Sequence, residues 1–514
     1  MDDLKQITSL LQNPAKEDLE LIKKAYDFAK KAHEGHTRNN NEPYFHHLFA
    51  TAKNIAELGM GATTIAAGFL HDTIEDAKVT PEIIEKEFGR EILFLVEGVT
   101  KLGKIRYQGA TRHNESLRKL FVAMSQDIRV LIIKLCDRLH NMQTLEHVTK
   151  EKQLRIAVET LEIYAPIAYR LGIRKLNREL EDLAFKYVYP KDYTEVIKLL
   201  KQKENYQLES LEKFGKLLKK ELAKEGVVNF HIDYRIKGLY SLYKKLKRID
   251  FDIEKVHDIA AMRVVVPTVA DCYKILGIIH GVWRPLPGKI KDYIAFPKTN
   301  GYQSLHTTIF TGDGGIIEVQ IKTDQMYRDS EYGIASHISY KEIQVEKLNN
   351  KKPTKNTTAP NMLWIKRILP IKENWTDTPV KDKKVLNTKD VPAWVKDLVE
   401  YQKEAGNDKF LTDIKTDFFE ERIFVFTPKG DVIDLPKDSS VIDFAYAIHT
   451  DLGDHMSGAK VNGKFVAIDS VLRNGDRVEI ETKNSSKPSR KWVEHCKTTM
   501  AKRRIHHALE SKTR

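Results

Sequence analysis

Four residues in the first third of the chain have the right types for one metal site: His47, the adjacent pair His71 and Asp72, and Asp137. Imidazole and carboxylate ligands together suit a catalytic divalent transition metal such as Mn²⁺, with positions left open for water. The string HDTIED at 71–76 adds Glu75 and Asp76. Residues three and four apart on a helix share a face. A helical HDTIED therefore predicts both extra carboxylates beside the metal, where an attacking water must lose its proton. The chemistry this implies is metal-assisted phosphoester hydrolysis. A His-Asp pair by itself is weak evidence, so the reading depends on the distant His47 and Asp137.

A second constellation lies further along. Arg235 and Lys237 alternate off an expected strand, Ser241, Lys244 and Lys245 sit on the next helix, and Lys289, Lys291 and Lys298 flank a loop. A nucleoside triphosphate needs such charges, and Arg also stacks on a base. Asp258 opens one strand and Glu318 lies within EVQIK at 318–322. Carboxylates at adjacent strand ends suit Mg²⁺ while it bridges phosphates. Taken singly, each lysine reads as surface charge, and Asp258 is equally a satisfied strand-end carboxylate.

The elements that must position these residues can be read from periodicity. Residues 17–200 read as helical nearly throughout: Ile22, Ala25, Tyr26, Ala29 and Ala32 follow helix spacing, and Thr80-Pro81-Glu82 is a helix start. Leu154, Ala157, Val158, Leu161, Ala165 and Ala168 give another apolar face. An all-helical bundle with inward metal ligands fits. Near residue 226 the period changes to two, with Phe230, Ile232, Tyr234 and Ile236 as a strand. A helix at about 239–248, a strand at 258–266, a helix near 269–281 and two strands around Gly312-Asp313-Gly314-Gly315 follow. That pattern is a mixed α/β domain. Residues 341–360 are rich in Lys, Asn and Thr without an apolar period, as a linker or inserted loop would be. After Arg422 come short strands, a turn at Pro428-Lys429-Gly430-Asp431, a helix at 441–449 and the hairpin pair Asn462-Gly463. Their size and order suit a small β-grasp fold.

A chain of 514 residues is too long for one core and implies about three or four domains. No apolar run approaches the ~20 residues of a membrane span, so no membrane partner is expected. The start Met1-Asp2-Asp3-Leu4 lacks a secretory pattern, and Cys136, Cys272 and Cys496 stand far apart. A reducing cytoplasm is the expected location. The net charge of +13 is uneven: Lys483 to Arg514 holds ten Lys/Arg against two Glu, a net of +8. Such a segment reads as a contact for RNA or another polyanion, or as a solvated basic helix. Nothing points to DNA.

His47 after Glu42-Pro43-Tyr44, the HD pair and the distant Asp137 match the order of the HD superfamily. With Arg38, FLHDTIED at 69–76, GVTKLGK at 98–104, MSQDIRV at 124–130 and KLCDRLHNM at 134–142, they resemble the hydrolase domain of long Rel/SpoT-type alarmone enzymes. YAPIAYRLGI at 164–173 is similar to that family's join between domains. KDYIAFPKTNGYQSLHTT at 291–308 with IEVQIK at 317–322 looks like its synthetase signature, and FTPKGDVIDLPKDSSVIDFAYAIHTDLG at 426–453 resembles its TGS domain.

The resemblance implies a bifunctional enzyme of the stringent response. One activity transfers pyrophosphate from ATP to the 3′-hydroxyl of GDP or GTP, and the other hydrolyses (p)ppGpp. It implies a multidomain α and α+β chain: a helical HD hydrolase domain with connecting helices (1–200), a nucleotidyltransferase-like α/β synthetase domain (201–342), a linker (343–420), a β-grasp TGS domain (421–483) and a basic helical tail (484–514). His47, His71, Asp72 and Asp137 would hold Mn²⁺, Glu75 and Asp76 would activate water, and Arg38 and Asn141 would contact substrate. Asp258 and Glu318 would hold Mg²⁺, with Glu318 helping to deprotonate the attacking hydroxyl, and Tyr302 would stack on guanine. Arg235, Lys237, Ser241, Lys245, Arg263, Lys291, Lys298, Asn300 and His306 fall on nucleotide-binding positions. His449 matches a contact to uncharged tRNA on the ribosome. KIKD at 289–292 keeps the basic form found in bifunctional members, although Lys289 and Lys322 stand where Arg is usual. Leu48, Asn39, the residue after His337 and Gly453-Asp454-His455 also depart from the pattern. The chain stops before the Cys-rich and ACT-like modules that end typical long members. Two alternatives stay open: an HD phosphohydrolase with an inactive synthetase domain, and a non-catalytic ribosome- or tRNA-binding regulator.

Overall fold

The computed structural model describes residues 2–11, 13–103, 127–256, 259–297, 302–311, 315–333, 335–336, 422–430, 432–473 and 475–510. Two compact units divide the chain, Met1–Pro392 and Ala393–Arg514. The linker expected at 343–420 lies outside the described residues.

The first unit begins with short helices, among them Lys16–Ala32, Phe45–Glu57, Ala62–Leu70, Pro81–Phe88, Arg90–Gly103 and Ile128–Gln143. Ile22, Ala25 and Ala29 are buried as their spacing demands, as are Leu48, Ile55, Ile65 and Phe69 of the next two helices. Pro81 starts its helix at the first position, as expected, but the Thr80 side chain caps no backbone amide. One expected apolar face holds except at its start. The backbone widens to a π-turn at Thr160–Tyr164 between Lys150–Glu159 and Ala165–Arg170. Ala157, Ala165 and Ala168 of that face are buried as expected, and Leu154 is half exposed. The wider turn, whose inserted residue shifts the helical phase, adds Thr160, Ile163 and Ile167 to the buried set.

Helix Pro190–Lys224 runs unbroken for 35 residues. The boundary expected at residue 200 therefore falls inside a continuous helix, and the helical period ends where the sequence reading put it, near 226. A five-stranded sheet follows, ordered β1-β2-β5-β4-β3. Its strands are β1 His231–Ile236, β2 Ala260–Val266, β3 Lys291–Asp292, β4 Leu305–Phe310 and β5 Ile316–Thr323. Only β2 and β5 pair in parallel. One face is apolar: Met262, Val264, Leu305, Ile309, Val319 and Ile321 cluster with Phe214, Leu218 and Leu222 of the long helix and Ile275 and Ile279 of Val269–Val282. β1 is an edge strand, which leaves Tyr234 and Ile236 more than a third exposed rather than in the core.

The second unit has β6 Arg422–Phe426 paired with β7 Val432–Pro436, then helix Val441–Ile448 and a sheet ordered β10-β8-β9, with β10 at Val478–Thr482. Strands β8 Met456–Val461 and β9 Lys464–Val466 meet at Asn462-Gly463, both at positive φ (52° and 82°), as a two-residue type I′ turn requires. The basic tail is not a free appendage. Cys496, Ala501 and Ile505 are buried with Val441, Phe444 and Val478. Buried Asp443 accepts from the Lys497 and Thr498 amides, and Arg504 donates to the Tyr446 carbonyl. No described helix is long and apolar enough to cross a membrane.

Candidate functional sites: a helical metal pocket and a polar sheet face

His47 sits early in Phe45–Glu57 and is buried, while its neighbour His46 is exposed beside Glu42. This selects His47 over His46. Asp137 lies mid-helix in Ile128–Gln143, whose amino end is capped by Asp127. His71 and Asp72 do not continue a helix as expected: Ala62–Leu70 ends at Leu70, and 71–76 is a run of turns. One α-type bond survives there, from the Asp76 amide to the Asp72 carbonyl at 2.8 Å. That bond, rather than a helix face, keeps Asp76 close. Glu75 and Asp76 are exposed.

The ligand atoms of His47, His71 and Asp137 lie within 4.8 Å of one another. Asp72 Oδ2 is 3.5 Å from His47 Nε2 and 3.1 Å from His71 Nε2. The His71 Nδ1–H donates to the Gly68 carbonyl at 2.8 Å, so Nε2 is the nitrogen that offers a lone pair once the ring is neutral. That Nε2 is buried without a hydrogen-bond partner, an orphan aimed at two carboxylates. A divalent cation supplies the missing partner, and the donor set fits one. Electrostatics agree. Burial opposes charge on His71, but Asp72 and then Asp137 outweigh it and push the imidazole up to about 9. Burial also opposes charge on Asp72, yet His71 and His47 hold it well below the usual carboxylate range.

Three residues around this point were missed as site residues, although each lies inside a quoted motif. Tyr44 hydroxyl is 2.8 Å from Asp72 Oδ2 and 2.6 Å from Asp76 Oδ2. Lys134 donates to Asp137 Oδ2 at 2.6 Å. His140 Nδ1 lies 2.8 Å from His47 Nδ1. Arg38 and Asn141, expected at substrate, bond to each other at 2.6 Å, and Asn141 donates to Asp137 Oδ1 at 2.6 Å.

The second site is the other face of the β1–β5 sheet. Strand register aligns Asp233, Arg263, Gln320, His306 and Lys291 in one row, and Arg235, Ala261, Glu318 and Thr308 in the next. Side chains two apart on a strand share a face, so these polar residues oppose the apolar core. His306 Nδ1 is 2.9 Å from Glu318 Oε1, and Tyr302 hydroxyl is 2.8 Å from His306 Nε2. Arg263 pairs with Asp233 and with Glu331, while its buried Nε has no hydrogen-bond partner. Ser241 lies 3.5 Å from Glu181 and Lys244 pairs with Glu181 at 2.9 Å. Lys237 and Lys245 follow on the same segment. Asp258, Lys298 and Asn300 lie outside the described residues.

Two features were not foreseen. Tyr302, expected to stack on guanine, is 3% exposed, and the Arg174 guanidinium lies 4.1 Å from its ring centre. Arg174 opens helix Arg174–Val188, far from the synthetase motif in sequence. Lys322 is 1% exposed and 4.8 Å from the same ring; burial, then Arg174 and Arg263, hold its pKa well below the lysine range. In the second unit, His449 is exposed at the junction of Val441–Ile448 and Thr450–Asp454. Its Nδ1 accepts from the Asp451 amide at 3.2 Å.

Comparison with known proteins agrees with this division. Residues 25–174 match the HD domain, 234–345 the region found in RelA/SpoT proteins, and 423–482 the TGS domain. A GTP pyrophosphokinase of Myxococcus xanthus is 41% identical over 97% of this chain and 61% of its own length. A guanosine-3′,5′-bis(diphosphate) 3′-pyrophosphohydrolase of Aquifex aeolicus is 41% identical over 100% of this chain and 67% of its own. The chain thus spans about three fifths to two thirds of these relatives. Among solved structures, the small alarmone synthetase 2 of Bacillus subtilis shares 26% identity over 31% of this chain and 83% of that one, at a TM-score of 0.21. On the Aquifex relative's identity across the whole of this chain and two thirds of its own, with the RelA/SpoT region at 234–345, the chain belongs to the RelA/SpoT family.

Proposed function

We propose that the chain is a bifunctional alarmone enzyme: a GTP/GDP pyrophosphokinase making (p)ppGpp and AMP from ATP and GDP or GTP, and a (p)ppGpp 3′-pyrophosphohydrolase. The observation that carries this reading is two chemically opposite sites in one unit. One gathers carboxylates and imidazoles around a point; the other gathers cations on a sheet. Nucleotide substrates and three buried free cysteines support a cytoplasmic location.

In the hydrolase, His47, His71, Asp72 and Asp137 would hold Mn²⁺, which polarises phosphate and makes a water more acidic when bound. Asp76, tied to Asp72 through Tyr44, and Glu75 are the carboxylates available to take the water's proton. Arg38 and Asn141 supply donors for phosphate or ribose. In the synthetase, Glu318 and Asp258 would hold Mg²⁺. The adjacency of β2 and β5 supports that pairing. Glu318, already beside His306, would accept the proton of the attacking 3′-hydroxyl. Arg235, Lys237, Ser241, Lys245, Arg263, Lys291, Lys298, Asn300 and His306 would hold phosphates, and Tyr302, once uncovered, the guanine.

The test is incubation of purified chain with ATP, GDP and Mg²⁺, then separately with ppGpp and Mn²⁺. Both ppGpp formation and its loss are expected. Loss without formation would favour a hydrolase with an inactive synthetase domain; neither would sink the reading. For the second unit we propose contact with ribosomes carrying uncharged tRNA, supported by exposed His449. No ribosome binding and no stimulation of synthesis at low salt would reject it.

A further inference from the structure

We infer that His140 is a positioning residue that sets the tautomer of the metal ligand His47 and ties it to Arg38. The inference rests on the hydrolase reading above and goes beyond it. Arginine has donors only. Arg38 Nη1 lies 3.1 Å from His140 Nδ1, so that nitrogen is an acceptor and the His140 proton is on Nε2. His47 Nδ1 lies 2.8 Å from the same nitrogen. Two lone pairs do not face each other at that distance, so His47 Nδ1 carries a proton. In the neutral ring that leaves Nε2 with the lone pair, and it is this atom that lies 3.3 Å from Asp137 and 3.5 Å from Asp72, where a metal would take it.

His71 reaches the same tautomer by another route. Its Nδ1–H points at the Gly68 carbonyl, an acceptor the backbone always supplies. For His47 the acceptor is a side chain whose own state depends on Arg38. A second arm runs in parallel. Arg38 Nη2 donates to Asn141 Oδ1, which orients the amide so that Nδ2 donates to Asp137. Arg38 also holds Thr144 Oγ1 at 3.2 Å. One guanidinium therefore organises two ligands through His140 and Asn141. Outer partners of this kind change metal affinity by about 10–100-fold when removed.

The test uses the full chain and Mn²⁺ alone, titrated by calorimetry without nucleotide. His140→Leu keeps bulk and removes the acceptor; affinity should fall about 10–100-fold. His140→Asn places a carbonyl oxygen near the lost Nδ1 and should recover affinity to within about threefold of wild type. Arg38→Met should also weaken Mn²⁺ binding, an effect that a residue touching only substrate would not have. Independently, ¹⁵N-histidine NMR of the metal-free wild type should show His47 protonated on Nδ1, which keeps the inference falsifiable if His140→Leu fails to fold. Equal affinity in wild type and His140→Leu, equal losses in the Leu and Asn variants, or a His47 proton on Nε2 would each overturn it. If wild type binds no Mn²⁺, the hydrolase reading falls as well.

Discussion

In the helical pocket, two carboxylates and two imidazoles crowd one point, and His71 holds a proton up to about pH 9. On the sheet, the crowding has the opposite sign. Burial and then Arg174 lower the Arg235 pKa, burial and then Arg174 and Arg263 lower that of Lys322, and a buried Arg263 nitrogen lacks a partner. One site is short of a cation and the other is short of anions. Each deficit describes a ligand: a divalent metal in the first case, nucleotide phosphates in the second. The sites also differ in readiness. The pocket's ligand atoms already converge, whereas on the sheet Tyr302, proposed to hold guanine, lies beneath Arg174.

The sharpest way to break this comparison is to delete one group from each site. Asp72→Ala should abolish Mn²⁺ binding and reduce ppGpp hydrolysis by about 10²-fold or more, while synthesis persists. Glu318→Gln should do the reverse, with synthesis lost by about 10²-fold or more and hydrolysis retained. Parallel radiolabelled assays check both, and loss of both activities in either variant would argue against two separable sites.

Next in size is the ion pairing on the sheet. Arg263→Ala leaves Asp233 and Glu331 without their cation and should destabilise the chain by about 2 kcal/mol in urea unfolding. This is below the ~3–5 kcal/mol of a fully buried pair, because the Asp233 side chain is 32% exposed. An unchanged midpoint would show that this cation is held for nucleotide alone.

The pocket makes a pH prediction. His71 titrates from 6.5 in an ordinary setting to about 9 in the fold. Its pairing therefore stabilises the metal-free chain fully below about pH 6.5, and the contribution is lost as pH rises through about 9. A metal must displace that proton, so Mn²⁺ affinity should climb by up to about tenfold per pH unit until it levels near pH 9. Calorimetry at several pH values reads this directly; a flat profile would contradict a pocket short of a cation. The smallest effect concerns readiness. Arg174→Ala removes a cation–π contact of about 0.5–2 kcal/mol and should lower the KM for GDP by that amount. A raised KM would make Arg174 a nucleotide contact rather than a cover.

Much of this was legible in the chain. The helix-to-strand change near 226, the strand through Ile232 and Tyr234 and the Asn462-Gly463 turn follow from local period and turn chemistry, which need no distant partner. The types and order of His47, His71, Asp72 and Asp137 likewise specify a metal site before any fold is known. What the sequence left undetermined depended on groups that meet only in space. The π-turn at Thr160–Tyr164 brought Thr160, Ile163 and Ile167 into the core beside the expected Ala165 and Ala168, and 71–76 formed turns rather than a helix. The basic tail became part of a core because Cys496, Ala501 and Ile505 found an apolar face to cover. His140 and Arg174 acquired meaning only once His47 and Tyr302 were beside them, 93 and 128 residues away. A tautomer, a covered ring or an orphaned nitrogen is a property of a neighbourhood, and only the tertiary structure supplies the neighbours.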